Sequence, residues 1–298
     1  KDAVPVRARA YVAIQNGCDH FCSYCIVTHI RGRSRSVPVE TILSHVRIAV
    51  QQGYPEVVLT GIDIASYGRK EGSSLGTLVQ RILKEIPDLP QLLLSSLDPA
   101  GIDEDLLAAF ATESRLMPHA HLSVQSASSS VLTAMRRRHS KESLITLCQR
   151  LRTVRPDIAL GADLIAGFPS EREEDFEETL RTLPVLKLTF LHVFPYSKRP
   201  GTLAAALPDL PRTVVLERAR QLRLFADQAL QQSLLSYVGQ TMPVVVEQSC
   251  KGRTPQSIPV TWGKPQCPRA RVSMSIVSSC KDTLIAAPEP SARINTDK

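Results

Sequence analysis

The stretch Tyr11-Val-Ala-Ile-Gln-Asn-Gly-Cys18-Asp-His-Phe-Cys22-Ser-Tyr-Cys25 joins a short apolar run to three closely spaced cysteines. Tyr11 to Ile14 has the aromatic and β-branched content of a strand, and the first cysteine follows four residues later. The cysteine spacing is C-x3-C-x2-C. Three thiolates this close can bind one face of a cubane iron–sulfur cluster and leave its fourth iron without a protein ligand.

A structural zinc site is the alternative interpretation, because such sites usually have four ligands. His20 and His29 lie near the cysteines and are able to supply the fourth. In a reducing cytosol a tight cysteine cluster binds metal more often than it forms disulfides. The spacing favours iron–sulfur and leaves zinc open. The other cysteines are scattered along the chain, at Cys148, Cys250, Cys267 and Cys280.

Outward from the cysteines, short apolar runs alternate with segments of helical period. The candidate strands are Tyr11–Ile14, Val57–Gly61, Leu92–Ser96, His121–Gln125, Ile158–Ile165 and Thr189–Val193. The candidate helices are Val39–Gln52, Leu75–Ile86, Glu104–Ala111, Ser129–Met135 continuing through Lys141–Leu151, and Glu173–Leu183. The alternation is typical of an α/β fold with a parallel sheet. Six βα units predict a partial (βα)6 barrel, in which reactive groups follow the carboxyl ends of the strands, as the cysteines do.

A second unit is predicted after this alternation. One long amphipathic helix is expected at Arg212–Tyr237, followed by short alternating runs that predict a small antiparallel β-barrel. These runs are Pro243–Glu247, Ile258–Thr261, Arg271–Val277 and Thr283–Ala287. The predicted organisation is a linker from a missing amino-terminal domain at 1–10, a core at 11–238, the β-barrel at 239–287 and a disordered tail at 288–298.

Composition narrows the class of protein without deciding its function. The 298 residues are 43% hydrophobic and 22% charged, as in ordinary globular proteins. We find neither the run of about 18 apolar residues that a membrane span requires nor a secretory signal, so we expect a cytoplasmic protein without a membrane partner. The net charge of +7 is compatible with a polyanionic partner but does not establish one.

The cysteine motif has an aromatic residue, Tyr24, just before its last cysteine, at the end of the first strand of a βα array. In this it resembles the radical S-adenosylmethionine (SAM) superfamily. The resemblance implies that Cys18, Cys22 and Cys25 ligate a 4Fe-4S cluster whose open iron binds SAM. It also implies that an electron from the cluster cleaves SAM to a 5′-deoxyadenosyl radical. The protein's part in such chemistry is to orient the cofactor and exclude competing reactions.

Further motifs resemble, in order, the radical-SAM methylthiotransferases. They are Tyr11–Cys18, Arg31–Pro38, Val58–Gly68, His121–Ser126, Gly161–Pro169 and His192–Gly201. The most similar branch methylthiolates C2 of N6-threonylcarbamoyladenosine at position 37 of tRNA. The resemblance implies the tRNA anticodon arm as a partner and a flavodoxin or ferredoxin as electron donor. Branches acting on isopentenyl-adenosine in tRNA or on a ribosomal protein aspartate remain open, as does a non-catalytic, zinc-stabilised RNA-binding protein.

The same resemblance implies that SAM is contacted by side chains at strand ends and in the following loops. These residues are Tyr24, Gly61, Asp63, Ser96, Gln125, Asp163, Ile165 and Gly167. Several also have a purely structural interpretation, because glycines after strands permit tight turns and serines cap loops. No catalytic residue is predicted beyond the cluster ligands. In the loop Gln125–Ser129 the family usually has glycine and acidic residues, so a contact is expected to be lost there.

Basic residues near the cysteines and in the predicted β-barrel are candidate RNA contacts, because Lys and Arg bind backbone phosphates. They are Arg31, Arg33, Arg35, Arg136, Arg137, Lys251 and Arg253. A solvated surface is the alternative for the run that begins at Arg136. Trp262 is the one aromatic residue in the sequence of the predicted β-barrel that is able to stack on a base. This favours electrostatic binding of the RNA backbone over stacking.

Members of the family also carry an amino-terminal domain whose three cysteines hold a second iron–sulfur cluster that handles the inserted sulfur. Nothing in this sequence matches that domain. A second 4Fe-4S cluster is therefore expected only in a missing amino-terminal domain. If the chain is a fragment, the full protein should perform methylthiolation. If it is complete, it is expected to cleave SAM without sulfur transfer or to be degenerate.

Overall fold

The computed structural model describes residues 7–293, with side chains through residue 287. Within this range an α/β half-barrel is followed by a long helix and a closed, five-stranded β-barrel. This confirms the predicted fold class. None of the helices in the described range has the length and apolar character needed to cross a bilayer.

Six parallel strands form the half-barrel of the described chain. They are β1 (Arg9–Asn16), β3 (Glu56–Gly61), β4 (Leu92–Leu94), β5 (His119–Gln125), β6 (Ala159–Ala166) and β7 (Phe190–Pro195), with the short β2 (Arg35–Ser36) antiparallel to β1. The helices that accompany them are α1 (Val27–Arg31), α2 (Val39–Gln51), α3 (Leu75–Glu85), α4 (Glu104–Thr112), α5 (Ser129–Ala134), α6 (Lys141–Val154) and α7 (Glu173–Leu186). Most predicted bounds therefore agree to within a few residues.

The strand order explains why polar groups far apart in sequence meet. One sheet has the order β2-β1-β3-β4 and the other β5-β6-β7, and the isolated parallel bridges Leu92↔Leu116 and Leu97↔Leu122 connect them. All six strands run the same way, so their carboxyl ends form one rim. Within the described residues no pairing joins β7 back to β1 or β2. The half-barrel is therefore open along one side.

The main core lies between the strands and the surrounding helices. On β5, Ala120, Leu122 and Val124 point outward and are fully buried, whereas the alternate residues face the barrel interior and are only partly buried. Burying one large aliphatic side chain contributes about 1.5–3 kcal/mol. Because this outer layer supplies the apolar core, the inner face of the strands is free to carry polar side chains.

The sequence predicted one continuous helix from Ser129 to Leu151, and this is wrong. Arg136 has a left-handed backbone with φ of 57°, which a helix cannot contain. A new helix, α6, then begins with Ser140 as its N-cap, whose hydroxyl accepts from Ser143 N at 3.1 Å. The break turns the next side chain, Arg137, into the interior. Cys148 lies mid-helix and is buried, as predicted.

The carboxyl-terminal unit follows the long helix α8 (Arg212–Leu235). Its strands are β8 (Thr241–Gln248), β9 (Lys251–Arg253), β10 (Pro259–Trp262), β11 (Arg271–Cys280) and β12 (Thr283–Arg293), closed in the order β10-β12-β11-β8-β9. The sequence analysis missed β9. It also predicted an all-antiparallel barrel, but β10 pairs with β12 in parallel, with Val260 opposite Leu284.

Two predicted terminal segments also differ from the structure. The strand β12 continues to Arg293, which pairs with Val272 of β11, so residues 288–293 are part of the barrel rather than a disordered tail. Within the segment predicted as a linker, Arg9 and Ala10 belong to β1. Residues 1–6 and 294–298 lie outside the described residues.

The β-barrel docks on the amino-terminal ends of the half-barrel strands. The guanidinium carbon of Arg269 lies 4.0 Å from the ring centroid of Tyr54, and its Nη1 donates to Gln52 O at 3.0 Å. Arg9, at the start of β1, lies 3.7 Å from Glu247 of β8. The cysteines follow the other end of β1 and are therefore on the opposite face of the half-barrel.

Candidate metal and cofactor site

The cysteine loop leaves β1 through a glycine that the backbone requires. Gly17 has a φ of 75°, and an added Cβ would overlap the carbonyl oxygen of Arg33. Cys18 N donates to Gly32 O at 3.1 Å. The close approach fixes the first cysteine against the segment that contains the predicted RNA-contacting arginines. The sequence analysis quoted this glycine but did not recognise its role.

Cys18 lies beside a buried carboxylate that comes from the loop after β3. Its Sγ is 4.0 Å from Asp63 Oδ2, which is also 2.6 Å from His20 Nε2. Ser66 Oγ donates to the same oxygen at 2.5 Å, and Asp63 N donates to Gln15 Oε1 at 2.8 Å. Four contacts from three segments thus fix Asp63 at the rim. The sequence predicted Asp63 as a site residue but not its partners.

Cys22 lies beside a buried arginine. Arg137 Nη1 donates to Cys22 Sγ at 3.5 Å, and Nη2 donates to Asp98 Oδ2 at 2.9 Å and to Ser123 O at 2.6 Å. The side chains of Arg137 and Asp98 are only 6% and 7% exposed. This placement corrects the prediction of Arg137 as an RNA contact, because a buried guanidinium cannot reach a phosphate.

Cys18, Cys22 and Cys25 share a partly buried place with the Asp63 carboxylate, so forming thiolates there has an electrostatic cost. Burial, helped by the charges of Asp63, Cys22 and Cys25, raises the pKa of Cys18 to about 12. Burial also raises the pKa of Cys25, as does Cys22. A metal centre reverses this electrostatic cost, because cation binding favours the thiolates. The donor set therefore fits the iron–sulfur cluster that the spacing predicts.

The residues around Cys18 are also suitable ligands for a single metal ion such as zinc. Ligand atoms of Cys18, His20 and Asp63 all lie within 4.8 Å of one another. His29, the other candidate fourth ligand, is exposed on α1, where its Nδ1 lies 3.5 Å from Thr28 Oγ1. The zinc interpretation thus gains Asp63 and His20 as its most suitable oxygen and nitrogen ligands.

Two of the predicted SAM contacts share an apolar cluster at the rim. Tyr24 and Ile165 pack against this cluster, whose buried members are Val131, Met135, Phe168 and Ala204. Burial raises the pKa of Tyr24, so its hydroxyl stays neutral. The rings of Phe168 and Tyr196 meet edge to face at 5.7 Å. The result is an apolar wall that begins just beyond the cysteines.

Three further predicted SAM residues have backbone roles. A Cβ on Gly61 would lie 2.6 Å from Gln15 O, and one on Gly167, whose φ is 73°, would lie 2.7 Å from Val215 Cγ2 of α8. Gln125 ends β5 with a φ of 71°. The packing of β1 and α8 therefore explains both glycines without a cofactor, in agreement with their structural interpretation.

The last two predicted SAM residues, Ser96 and Asp163, line one cavity of about 450 Å³ that also borders Arg253 and Ser257 of the β-barrel. Asp163 Oδ1 is 2.9 Å from His121 Nε2 and 3.2 Å from His192 Nδ1. Burial acts to raise the pKa of Asp163, but the hydrogen bonds and charges of the two histidines outweigh it and lower the pKa. Sequence reasoning missed this group, because its members lie on three separate strands.

Asp163 is three residues before the end of β6, or about 10 Å below the rim at the usual strand rise. This depth differs from the rim position that the sequence analysis predicted for a SAM contact. Ser96 follows β4 and is exposed to the same cavity.

Exposed arginines surround the cysteine loop. Arg33 lies with its guanidinium carbon 5.1 Å from the ring centroid of Phe21 and its Nη1 3.5 Å from Asp19. Arg31 and Arg35 are exposed beside it, and Arg136 is exposed after α5. These residues are available to an anionic partner at the rim.

The two RNA candidates of the β-barrel lie at the opposite end. Lys251 is exposed on β9. Arg253 is half-buried, lies 3.3 Å from Glu247 Oε1 and donates to Ser257 O at 3.0 Å. Arg253 therefore stabilises the barrel itself, in contrast to the predicted phosphate contact.

Comparisons with known proteins agree with this architecture. The profile of the radical SAM superfamily matches residues 12–183. The threonylcarbamoyladenosine tRNA methylthiotransferase MtaB of Rickettsia prowazekii is 42% identical over 260 residues, which cover 87% of this chain and 62% of that protein. The tRNA-2-methylthio-N(6)-dimethylallyladenosine synthase of Syntrophotalea carbinolica is 37% identical over 244 residues, covering 81% of this chain and 56% of that protein. The chain thus spans roughly 60% of the length of these relatives.

Among solved structures, coproporphyrinogen III oxidase (HemN) from Escherichia coli superposes with a TM-score of 0.55 at 18% identity, covering 92% of this chain and 66% of that one. At this identity the likeness supports the fold alone. It agrees with the half-barrel architecture.

Proposed function

The chain belongs to the radical SAM superfamily, and we propose that it forms the SAM-cleaving and RNA-contacting part of a tRNA methylthiotransferase. The proposed reaction is methylthiolation at C2 of N6-threonylcarbamoyladenosine at position 37. The observation that carries this proposal is the set of Cys18, Cys22 and Cys25 at the carboxyl end of the first strand of a half-barrel. The 42% identity to the threonylcarbamoyladenosine enzyme of Rickettsia supports this choice of substrate.

A 4Fe-4S cluster bound by the three cysteines would hold SAM at its open iron and supply the electron that cleaves it. In our proposal the chain itself positions the ligands and the cofactor. Gly17 and the Arg137–Asp98 pair fix the loop that carries the cysteines. Asp63 offers a buried carboxylate to the polar end of SAM.

The rest of the proposed SAM site is apolar or backbone. Tyr24 and Ile165 would face the adenine and exclude water there. Gly61, Gln125 and Gly167 would line the rim, together with Ser96, which follows β4. Water exclusion is the chief task of such a site, because it prevents competing reactions of a reactive intermediate.

The anticodon arm is proposed to bind the exposed arginines around the cysteine loop. Phosphates would contact Arg31, Arg33, Arg35 and Arg136, since such contacts position a nucleic acid without reading its sequence. The open side of the half-barrel gives a flipped base a route inside. Lys251 would add a phosphate contact at the far end.

The proposal requires two partners beyond these residues. A flavodoxin or ferredoxin would deliver the electron. The inserted sulfur would come from a second 4Fe-4S cluster outside this sequence. The electron donor and the second cluster are both proposed for the whole protein, of which this chain is one part in our proposal.

Anaerobic reconstitution with iron and sulfide tests the proposal. We expect a brown protein that releases 5′-deoxyadenosine from SAM when reduced. The variant Cys22→Ala should lose both properties, because one of three cluster ligands is gone. Cys267→Ala, which alters an exposed cysteine far from the loop, should retain them.

A zinc-stabilised RNA-binding protein is the second candidate, and the grouping of Cys18, His20 and Asp63 favours it. It predicts a colourless protein with one zinc per chain and no SAM cleavage. Metal analysis of the reconstituted protein separates the two functions. One tightly held zinc that iron cannot replace would overturn the radical-SAM proposal.

A further inference from the structure

The interior of the half-barrel holds a polar group that the SAM-cleaving site does not use. His121 of β5 and His192 of β7 both contact one oxygen of Asp163 on β6, at 2.9 and 3.2 Å. The imidazole rings lie 4.9 Å apart. Three neighbouring strands thus present two imidazoles and one carboxylate to the same cavity.

The glycine at position 161 makes this arrangement possible. A Cβ there would lie 2.5 Å from His121 Nδ1, so any other residue would push the imidazole away from Asp163. A packed core does not need such an arrangement, because an aliphatic side chain at 121 would fill the space without hydrogen-bonding demands. The geometry favours a binding role for the polar group.

Several polar atoms around the cavity lack a partner. Ser95 Oγ and His119 Nδ1 are buried without a hydrogen bond among the described residues, and both residues line the cavity. Asp163 contacts both histidines through Oδ1, and its Oδ2 accepts no hydrogen bond from the described part of the chain. Buried polar groups are normally hydrogen-bonded, so this cavity suits a ligand with several donors and acceptors.

The charged residues around the cavity limit which ligand groups it suits. Arg9 is paired with Glu56, and Arg253 with Glu247, so neither guanidinium dominates the cavity. Burial lowers the pKa of His119 to about 3, so that ring is neutral. The remaining surface offers hydrogen-bond donors and acceptors together with the Asp163 carboxylate. Such a surface suits a urea or hydroxyl group, which donates hydrogen bonds to a carboxylate, and penalises an alkenyl chain, which would leave these atoms unpaired.

We propose that His121, Asp163 and His192 form the subsite that holds the N6 substituent of the target adenosine, and that it selects a threonylcarbamoyl-type substituent over an apolar one. The inference rests on the proposed function. Asp163 lies about 10 Å below the rim. An adenosine whose C2 faces the cysteines would place an extended N6 substituent at about this depth. This substrate role replaces the SAM contact predicted for Asp163.

The test is a titration of the purified chain with nucleosides, which requires neither the cluster nor the tRNA. The three probes are N6-threonylcarbamoyladenosine, N6-dimethylallyladenosine and adenosine. We expect the first to bind about tenfold more tightly than the other two, the loss typical of a missing hydrogen bond to a charged group. Asp163→Asn and His192→Phe should abolish this preference.

Two further variants act as controls. Gly161→Ala removes no polar group but displaces His121, so it should also reduce the preference. His45→Phe changes an exposed histidine on α2 and should leave it intact. Because His192 is 61% exposed, His192→Phe should fold even where a buried change does not.

The outcomes separate this inference from the proposed function. Equal binding of the three nucleosides, no binding of the threonylcarbamoyl nucleoside, or an unchanged preference in both Asp163→Asn and His192→Phe would overturn the subsite. Those results leave cluster assembly and SAM cleavage unaffected. A chain that holds no cluster and cleaves no SAM would instead contradict the proposed function, whatever the titration gives.

Discussion

At the scale of single residues, Arg137 has a different role from that of its neighbours in the same basic run. It pairs with Asp98 and donates to Cys22 Sγ, whereas Arg136 is exposed. Burying a charge is costly unless it is paired and hydrogen-bonded. The Arg137–Asp98 pair is therefore expected to contribute to stability, which the composition of the basic run does not reveal.

Replacing Arg137 by Met should lower the free energy of unfolding by about 3 kcal/mol, because it leaves the buried Asp98 carboxylate without its main partner. Urea unfolding of the metal-free protein followed by circular dichroism measures this change. Arg136→Met is the matched control and should change stability by less than about 0.5 kcal/mol. Equal losses in the two variants would show that the ion pair is not important for stability.

At the scale of elements, the break between α5 and α6 determines which side chains face the cysteines. The left-handed backbone at Arg136 ends α5, and Met135 O then accepts from Ser23 N in the cysteine loop at 3.1 Å. An uninterrupted helix would consume that carbonyl in its own hydrogen bonds. The break thus couples α5 to the metal site.

Arg136→Gly should raise the free energy of unfolding by about 1 kcal/mol, since glycine adopts a positive φ without the steric cost of a side chain. Thr133→Gly, in the helical part of α5, should instead lower it by about 0.5 kcal/mol. Thermal and urea unfolding of both variants provide the comparison. A loss of stability in both would mean that Arg136 is not left-handed in solution.

At the scale of the whole molecule, the β-barrel and the cysteines occupy opposite ends of the half-barrel. The strand β1 connects them, and its eight residues span about 26 Å. The docking contacts are Arg269 on Tyr54, Arg9 with Glu247, and Gln256 Nε2 near Asp157 O at 3.4 Å. An RNA that contacts both ends must therefore run along the outside of the half-barrel.

Arg269→Gly should weaken docking of the β-barrel by about 2 kcal/mol, because it removes a cation–π contact and hydrogen bonds to two carbonyls. Glycine is chosen because Arg269 has a φ of 70°. Limited proteolysis with mass spectrometry should detect faster cleavage at residues 236–240, between α8 and β8. Lys264→Ala changes an exposed loop residue and should be cleaved at the same rate as the parent protein. An unchanged cleavage rate in Arg269→Gly would contradict the docking role of Arg269.

The sequence by itself determined the α/β class, the order of the strands and helices and the C-x3-C-x2-C loop after the first strand, because periodicity and spacing are local properties of the chain. It missed β9, the parallel pairing of β10 with β12, and the break after α5. Only the tertiary structure decided that Arg137 meets Cys22, 115 residues away in sequence, and that His121, Asp163 and His192 converge. Such contacts depend on how strands are placed side by side and on which side chains the packing leaves room to bury, and no local pattern encodes either.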